Sequence, residues 1–226
     1  MAMTSARDSV LGSIRRGLRR GPLTGAAAEA LRARLANPPP GPLPERAKGA
    51  GEDRLARFID MAERVSASVA RVQGLDQLAP ALAEYLKAHN LPTTVVASDD
   101  AILDGLADHP MLTVRRGLPT PGDTVAVVPA FGAIAETGTL ALRSGSERAS
   151  TLNFLPDTHV VVLRAADLVG GLEEIWARLR AEGQGALPRT INFITGPSRT
   201  GDIEQTIQLG AHGPLRLHIL IVDESA

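Results

Sequence analysis

The chain of 226 residues contains no cysteine, and this absence excludes several kinds of site. Without a thiolate it can form no disulfide, no cysteine-ligated zinc or iron–sulfur centre and no cysteine nucleophile. Aromatic residues make up only 3% of the sequence, so the core must consist mainly of Val, Leu, Ile and Ala. No apolar run approaches the roughly 20 residues of a membrane span. The net charge of −1 gives no general attraction to nucleic acid or to an anionic membrane.

The first 36 residues have the pattern of a helical arm. Residues 5–20 place Val10, Ile14 and Leu18 on one helical face, with arginines on the other. Two interpretations stay open, a helix that packs on its own domain and a helix that docks on a partner. Residues 25–36 predict a second helix. No apolar segment follows the N-terminal arginines, so we expect no secretory signal and a cytoplasmic chain.

A proline-rich segment separates the arm from the rest of the chain. Residues 37–44 read Asn-Pro-Pro-Pro-Gly-Pro-Leu-Pro, which can be neither helix nor central strand. Such a segment is a stiff, extended spacer. The sequence therefore predicts three parts, an arm over residues 1–36, a spacer over 37–51 and an α/β domain over 52–226.

The domain alternates helical patterns with short apolar strands. Helices are predicted over residues 52–71, 75–89, 101–106 and 172–181, and strands over 93–97, 123–128, 140–142, 159–163, 191–194 and 215–222. The strands are apolar throughout rather than alternating, which indicates burial on both faces. We therefore predict a largely parallel sheet that is covered on both sides.

Two loops have compositions that favour a ligand site. The first covers residues 131–139 and contains Glu136, Thr137, Gly138 and Thr139. Glycine lets backbone N–H groups approach a ligand, hydroxyls bind anions or carbonyls, and a carboxylate can act as an acid, a base or a nucleophile. The simpler interpretation is a hairpin turn with an exposed glutamate.

The second loop begins after the strand that ends at residue 194. Its candidate ligand-binding residues, together with the nearby histidine, are Gly196, Ser198, Thr200, Asp202, Glu204 and His212. Hydroxyls and free N–H groups there are suited to a small anion. The simpler interpretation is a capped helix start with Thr200 as the N-cap. No spacing of His, Asp and Glu is typical of a metal site.

We expect the two loops to converge. Both follow buried apolar strands, and parallel strands that lie close together open their carboxyl ends on the same edge of a sheet. Glu136 and the threonines of the first loop would then share one concave pocket with Ser198, Thr200 and Asp202.

Three blocks of the sequence resemble one family. They are Ala133-Ile134-Ala135-Glu136-Thr137-Gly138-Thr139-Leu140, Leu155-Pro156-Asp157-Thr158-His159-Val160, and the segment from Gly196-Pro197-Ser198-Arg199-Thr200-Gly201-Asp202-Ile203-Glu204 through Gly210-Ala211-His212-Gly213-Pro214. In this order they are similar to the LUD domain of the lactate-utilisation protein C (LutC/YkgG) family. The resemblance covers about residues 52–223.

The resemblance implies a fold of the NagB/RpiA/CoA-transferase-like type, with a three-layer sheet flanked by helices. It also implies a place in a bacterial system that oxidises L-lactate to pyruvate. In that system iron–sulfur clusters belong to partner proteins, because this chain has no cysteine to bind one. The resemblance leaves open whether the chain is a structural or regulatory subunit, or binds a substrate or an electron acceptor.

Two other classes of function stay open. CoA transferases of this fold carry a catalytic glutamate in a Glu-Asn-Gly context, and Glu136-Thr137-Gly138 resembles it with threonine in place of asparagine. That similarity raises a free-standing CoA-transferase-like or phosphosugar-type enzyme as the alternative. The third class is a pure interaction module that is tethered by its basic arm.

Overall fold

The computed structural model describes residues 5–39, 41–183, 186–200 and 208–223. Contacts between Cα atoms divide the chain into two compact units, Met1–Pro42 and Leu43–Ala226. The smaller unit contains the helices α1 (Ala6–Gly17) and α2 (Gly25–Ala36), close to their predicted positions. Helix α1 is capped at its start because the Ser5 hydroxyl accepts the backbone N–H of Asp8.

The larger unit contains three α-helices and twelve strands among the residues described. The helices are α3 (Gly51–Arg64), α4 (Leu78–Ala88) and α5 (Leu172–Glu182). The strands are β1 (Ser68–Val72), β2 (Thr94–Ala97), β3 (Thr113–Arg116), β4 (Val125–Pro129), β5 (Gly132–Ile134), β6 (Thr139–Arg143), β7 (Thr158–Arg164), β8 (Leu168–Val169), β9 (Ile191–Ile194), β10 (Arg199–Thr200), β11 (Gln208–Leu209) and β12 (Arg216–Val222).

Six strands form an all-parallel sheet in the order β1-β12-β7-β4-β2-β3. Its central strands β4, β7 and β12 are buried along almost their whole length. The α/β architecture predicted from these apolar strands is confirmed. A strand that is apolar on both faces needs a covering layer on each side, and the fold supplies both.

One face of the parallel sheet is covered by α4. Leu82 and Leu86 are fully buried against residues of β2, β4, β7 and β12. The opposite face packs against α3, through Phe58 and Ala62, and against a second sheet. This second sheet has the order β8-β5-β6-β9, and α5 covers its outer face through Ile175 and Leu179.

Strand β9 does not belong to the parallel sheet, contrary to the prediction. It pairs antiparallel with β6, with Leu140 opposite Ile194, at the edge of the second sheet. All four residues of β9 are half-buried, which fits an edge strand. Apolar composition alone does not distinguish this edge strand from a strand of the parallel sheet.

Helix α3 is shorter than predicted. The sequence predicted a helix over residues 52–71, but the helix ends at Arg64 and Ser66 has a φ of 68°. Ser68–Val72 is instead strand β1, which pairs with β12 at the sheet edge. The hydrogen bonds of β12 thus override a local helical pattern.

Residues 43–50 belong to the larger unit, whereas the sequence had assigned them to the spacer. A 3-10 turn at Glu45–Ala47 buries Ala47, which is 4% exposed. A Cβ atom at Gly170 would lie 2.0 Å from the carbonyl oxygen of Ala47. Only glycine at position 170 therefore lets the turn approach the start of α5 this closely. Within the described ranges, no helix has the length and apolar character to cross a membrane.

The close packing of the β5–β6 turn on α3 generates a stability prediction. Gly138 has a φ of 65°, and a Cβ there would lie 2.5 Å from the backbone nitrogen of Ala62. We expect Gly138→Ala to lower the free energy of unfolding by about 3 kcal/mol or more, because backbone strain and a clash add. Gly51→Ala is the matched control, with a φ of 54° and open space around its Cβ, and should cost about 1 kcal/mol. Equal losses in urea denaturation would contradict the role of the α3 contact.

Candidate functional site

Glu136 lies in the turn between β5 and β6. Its backbone N–H donates to the carbonyl of Gly170, and the Nε of Arg46 donates to its Oε1 at 2.8 Å. The side chain is only 12% exposed. The loop is a hairpin turn, as the simpler interpretation held, but the carboxylate is half-buried and forms an ion pair with Arg46.

Three threonine hydroxyls connect the first loop to the second. Thr139 Oγ1 lies 2.7 Å from Thr137 Oγ1 and 2.7 Å from Thr195 Oγ1. Thr139 is buried, so this chain of hydroxyls fixes the turn to the residue that follows β9. The two loops therefore meet, but through β6 and β9, which are antiparallel neighbours in the second sheet, and not through two strands of the parallel sheet.

The end of α3 lies against both loops. Gly138 packs on Met61 and Ala62, and Gly196, with a φ of 77°, packs on Val65. A Cβ at Gly196 would lie 2.5 Å from the carbonyl oxygen of Val65. These two glycines were predicted as ligand-binding residues, and in the structure they contact the backbone at the end of α3.

Ser198 is held by backbone hydrogen bonds on three sides. Its N–H donates to the carbonyl of Pro214 at 2.9 Å, and its carbonyl accepts the N–H of Gly210 at 2.9 Å. Its Oγ accepts the N–H of His212 at 3.4 Å. The serine thus fixes the segment that precedes β12 against the segment that follows β9.

Arg199 and Thr200 form β10, which pairs antiparallel with Gln208 and Leu209 of β11. The helix that Thr200 was predicted to cap would begin outside the described residues, so the N-cap stays a prediction. Asp202 and Glu204, which were predicted to share the site, lie outside the described residues.

Ser198 and His212 line a cavity of about 300 Å³. It lies at the amino ends of β7 and β12, where His159 and Leu217 form one wall. Phe193, Thr195 and Gly196 form the opposite wall, and the remaining polar groups come from Asn153 and Arg199. Glu136, Thr137 and Thr139 are not among the lining residues. The residues that were predicted to share one pocket therefore lie in two places, the cavity of Ser198 and the β5–β6 turn.

His159 is the most unusual group of this cavity. It is 1% exposed, and its Nε2 has no hydrogen-bond partner among the residues described. Burial lowers the pKa of His159 to about 3, so the imidazole is neutral near pH 7. A neutral imidazole can either accept or donate a hydrogen bond, depending on its tautomer. A ligand that reached this nitrogen would satisfy a buried polar atom that otherwise costs free energy.

His218 is buried on the other face of the sheet, where its Nδ1 has a partner and its Nε2 has none among the residues described. Its Nδ1 lies 2.8 Å from Ser68 Oγ, and its ring stacks on Tyr85 at a centroid distance of 3.7 Å. Burial, reinforced by the neighbouring His89, lowers the pKa of His218 to about 4. This histidine packs against α4 through its contact with Tyr85. Among the described residues, no group of three His, Asp or Glu side chains is placed to hold a metal.

Neither Asn153 nor His159 was among the site residues predicted from the sequence. Both are buried polar residues, and both line the cavity. A signal was available for His159, because a histidine at the start of an otherwise apolar strand is a costly group to bury. Asn153 ends a short 3-10 turn, and nothing in the local sequence marks it.

The segment that contains these features is similar to known proteins. Residues 124–222 match the family model of the LUD domain. Over 92 residues the chain is 35% identical to lactate utilization protein C of Shouchella clausii, and the alignment covers 40% of each chain. Over 102 residues it is 33% identical to the Escherichia coli protein YkgG, with 44% of each chain covered. The matched segment thus spans less than half of these relatives' own length.

A solved structure is similar in fold over a larger part of the chain. A DUF162 family protein from Deinococcus radiodurans superimposes with a TM-score of 0.60 over 77% of this chain and 99% of its own length. The sequence identity is 22%, so this likeness concerns the fold alone.

Burial of His159 generates a pH prediction. The unfolded chain binds a proton near pH 6.5, but the folded chain binds it only near pH 3, so stability is complete above pH 6.5 and falls as the pH is lowered. Between about pH 7.5 and about pH 5.5 we expect His159 alone to remove about 1.4 kcal/mol from the free energy of unfolding.

In His159→Gln, the free energy of unfolding measured by urea denaturation should fall by about 1.4 kcal/mol less over this pH interval than it does in the wild-type protein. Ile219→Val, a substitution at a fully buried residue of the neighbouring strand, is the control. It should cost about 1 kcal/mol at both pH values and leave the pH dependence unchanged. A pH dependence that is the same in His159→Gln and in the wild-type protein would contradict the assignment.

Proposed function

Because the chain belongs to the LUD-domain family of lactate-utilisation protein C, we propose that it is a non-redox subunit of a bacterial L-lactate utilisation system. The system would oxidise L-lactate to pyruvate together with an iron–sulfur partner protein. The observation that carries the proposal is the LUD-domain match over residues 124–222, which contains Glu136, the threonine hydroxyls and the cavity of Ser198.

The composition supports the assignment of electron transfer to a partner. The chain has no cysteine, so it has no thiolate with which to ligate a cluster of its own. Oxidation of lactate to pyruvate releases two electrons and two protons, which a separate redox centre must then accept. This chain would contribute binding and positioning, with no cofactor of its own.

The cavity of Ser198 and His159 has properties that suit a binding role. Its polar groups are the imidazoles of His159 and His212, hydroxyls, an amide and one guanidinium, that of Arg199. A volume of about 300 Å³ exceeds that of a three-carbon acid, whose hydroxyl or keto oxygen can pair with the imidazole. Half-exposed walls of Phe193 and Phe154 give the apolar contacts that such sites use.

Deletion of the gene in its host is the direct test. We expect the deletion strain to lose growth on L-lactate as the carbon source, and the intact gene to restore it. Growth on pyruvate should be unaffected, because pyruvate lies after the proposed step. A gene for Ser198→Ala should restore growth less well than the intact gene if the cavity contributes.

Two results would count against the subunit proposal. Normal growth of the deletion strain on L-lactate, with no second copy of the gene present, would reject a role in lactate utilisation. Equal loss of growth on pyruvate would indicate a general defect unrelated to lactate.

The alternative is a CoA-transferase-like enzyme that uses Glu136. Its carboxylate would attack an acyl-CoA thioester, expel the CoA thiolate and form a mixed anhydride. The contact with Arg46 argues against this chemistry, because one carboxylate oxygen is already engaged at 2.8 Å. The hydrogen bond from Arg46 goes to Oε1, so Oε2 is the oxygen that would have to attack, and the alternative can be tested there.

Trapping with hydroxylamine distinguishes the two functions. After incubation with acetyl-CoA and succinyl-CoA, the subunit proposal predicts no hydroxamate on Glu136 by mass spectrometry. An adduct on that residue, absent in Glu136→Gln and retained in Glu147→Gln, would favour the enzyme. Glu147 is the matched control because it is an exposed glutamate in a different loop.

A further inference from the structure

The charge of the chain is distributed unevenly along its sequence. The arm, residues 1–36, has seven arginines and two acidic residues, which give it a net charge of +5. Residues 37–226 have 17 basic and 23 acidic residues, a net charge of −6, so the total of −1 conceals a basic arm. Charges in solution act over about 8–10 Å at physiological ionic strength. A surface that the arm contacts therefore experiences mainly the charge of the arm.

Helix α1 carries an apolar stripe that is open to solvent. Val10, Ile14 and Leu18 recur at every fourth position, which places them along one side of the helix. These three residues are 58%, 51% and 59% exposed, and α1 has no buried residue. A large aliphatic side chain that is this exposed gains free energy when an apolar phase covers it.

Four exposed arginines lie at the end of this stripe, Arg15, Arg16, Arg19 and Arg20. The first two belong to the last turn of α1, and the other two directly follow the helix. The one acidic residue of α1, Asp8, lies in its first turn, where its carboxylate accepts the hydroxyl of Ser5 at 2.7 Å. About two helical turns thus separate this carboxylate from the nearest of the four guanidinium groups.

Helix α2 repeats this combination on a smaller scale. Leu31 and Leu35 lie one turn apart and are 50% and 82% exposed. Arg34, in the last turn of the helix, lies between them in sequence and is also exposed. Both helices of the arm therefore present aliphatic side chains together with guanidinium groups.

We propose that the arm binds the surface of a lipid bilayer that contains anionic phospholipids. An exposed aliphatic stripe next to a group of basic side chains is typical of a helix that lies in the interface of such a bilayer. The stripe would enter the boundary of the acyl chains, and the arginines would contact the phosphates. No helix needs to cross the bilayer, and the proposal does not depend on the role in lactate utilisation.

The composition of the arm favours lipid over a groove on a protein. All seven of its basic residues are arginines, whose guanidinium groups form paired hydrogen bonds with phosphate oxygens. The arm contains no aromatic residue, whereas the strongest contacts between proteins are enriched in Trp and Tyr. Fluid acyl chains cover an aliphatic stripe without a pocket of matching shape.

Sedimentation of the full chain with lipid vesicles tests the proposal. Vesicles of phosphatidylcholine alone are compared with vesicles of equal parts phosphatidylcholine and phosphatidylglycerol. We expect the chain to sediment with the anionic vesicles and to remain in solution with the neutral ones. Sodium chloride at about 1 M should weaken the binding, because it shortens the Debye length to about 3 Å.

Two variants of the arm separate its charge from its stripe. The double substitution Arg15→Gln and Arg16→Gln should weaken binding to anionic vesicles about tenfold or more, because each arginine near such a surface contributes about fivefold. Ile14→Ser should also weaken it about tenfold, because the burial of one isoleucine is lost. Arg57→Gln and Leu118→Ser are the matched controls at exposed positions of the larger unit, and should leave the affinity unchanged.

The outcomes decide between lipid and the other possible occupants of the stripe. Binding to anionic vesicles alone, weakened in both arm variants and retained in both controls, supports the proposal. Absence of binding to either kind of vesicle overturns it and leaves a protein groove as the occupant. Equal binding to neutral and anionic vesicles, or an affinity that is unchanged in either arm variant, also overturns it.

Discussion

Strand β7 is buried on both faces, and this burial sets the arrangement of the other layers. Val160 and Val162 face α4, while His159, Val161 and Leu163 face the second sheet and α3. Parallel ladders join β7 to β12 along its whole length and to β4 over Thr158–Val162, so backbone donors and acceptors on both edges of the strand have neighbours. The cavity of Ser198 lies beside His159 at the amino end of β7. A second cavity, whose lining includes Arg143, Arg148, Arg164 and Arg178, lies at the carboxyl end, roughly 16 Å away by the rise of a strand.

The glycines and threonines that resemble the LUD-domain signature make packing contacts, whether or not they also bind a ligand. Gly138 and Gly196 are the positions at which a Cβ would meet the backbone at the end of α3. The hydroxyls of Thr137, Thr139 and Thr195 then connect the two turns over this contact. A motif rich in glycine and threonine can thus be required by close backbone approach, and its composition alone does not reveal which of its residues face a ligand.

The parts of the fold that depend on composition could be predicted from the sequence. Those that depend on which strands pair with each other could not. Continuous apolar runs identified β4, β7 and β12, because burial on both faces leaves no alternation. They could not assign β9 to the second sheet, since its partner β6 lies some 50 positions earlier and either pairing suits an apolar segment. The cavity arginines had a partial signal, because Arg143 and Arg164 are the last residues of their strands. Arg148 and Arg178 come from separate loops and helices, and only the fold brings them there.

The position of the cavities on one strand bears on whether they communicate. Coupling between two sites needs an element with two discrete arrangements that each ligand stabilises differently. β7 is a poor candidate, because seven residue pairs hold it in register with β12 and five with β4, and a slip of one residue would move His159 to the opposite face. Side chains at the two ends can instead adjust separately, the imidazole within its apolar wall and the arginines within their network of carboxylates. Occupation of the cavity beside His159 is therefore expected to leave the arrangement at the other end of β7 unchanged.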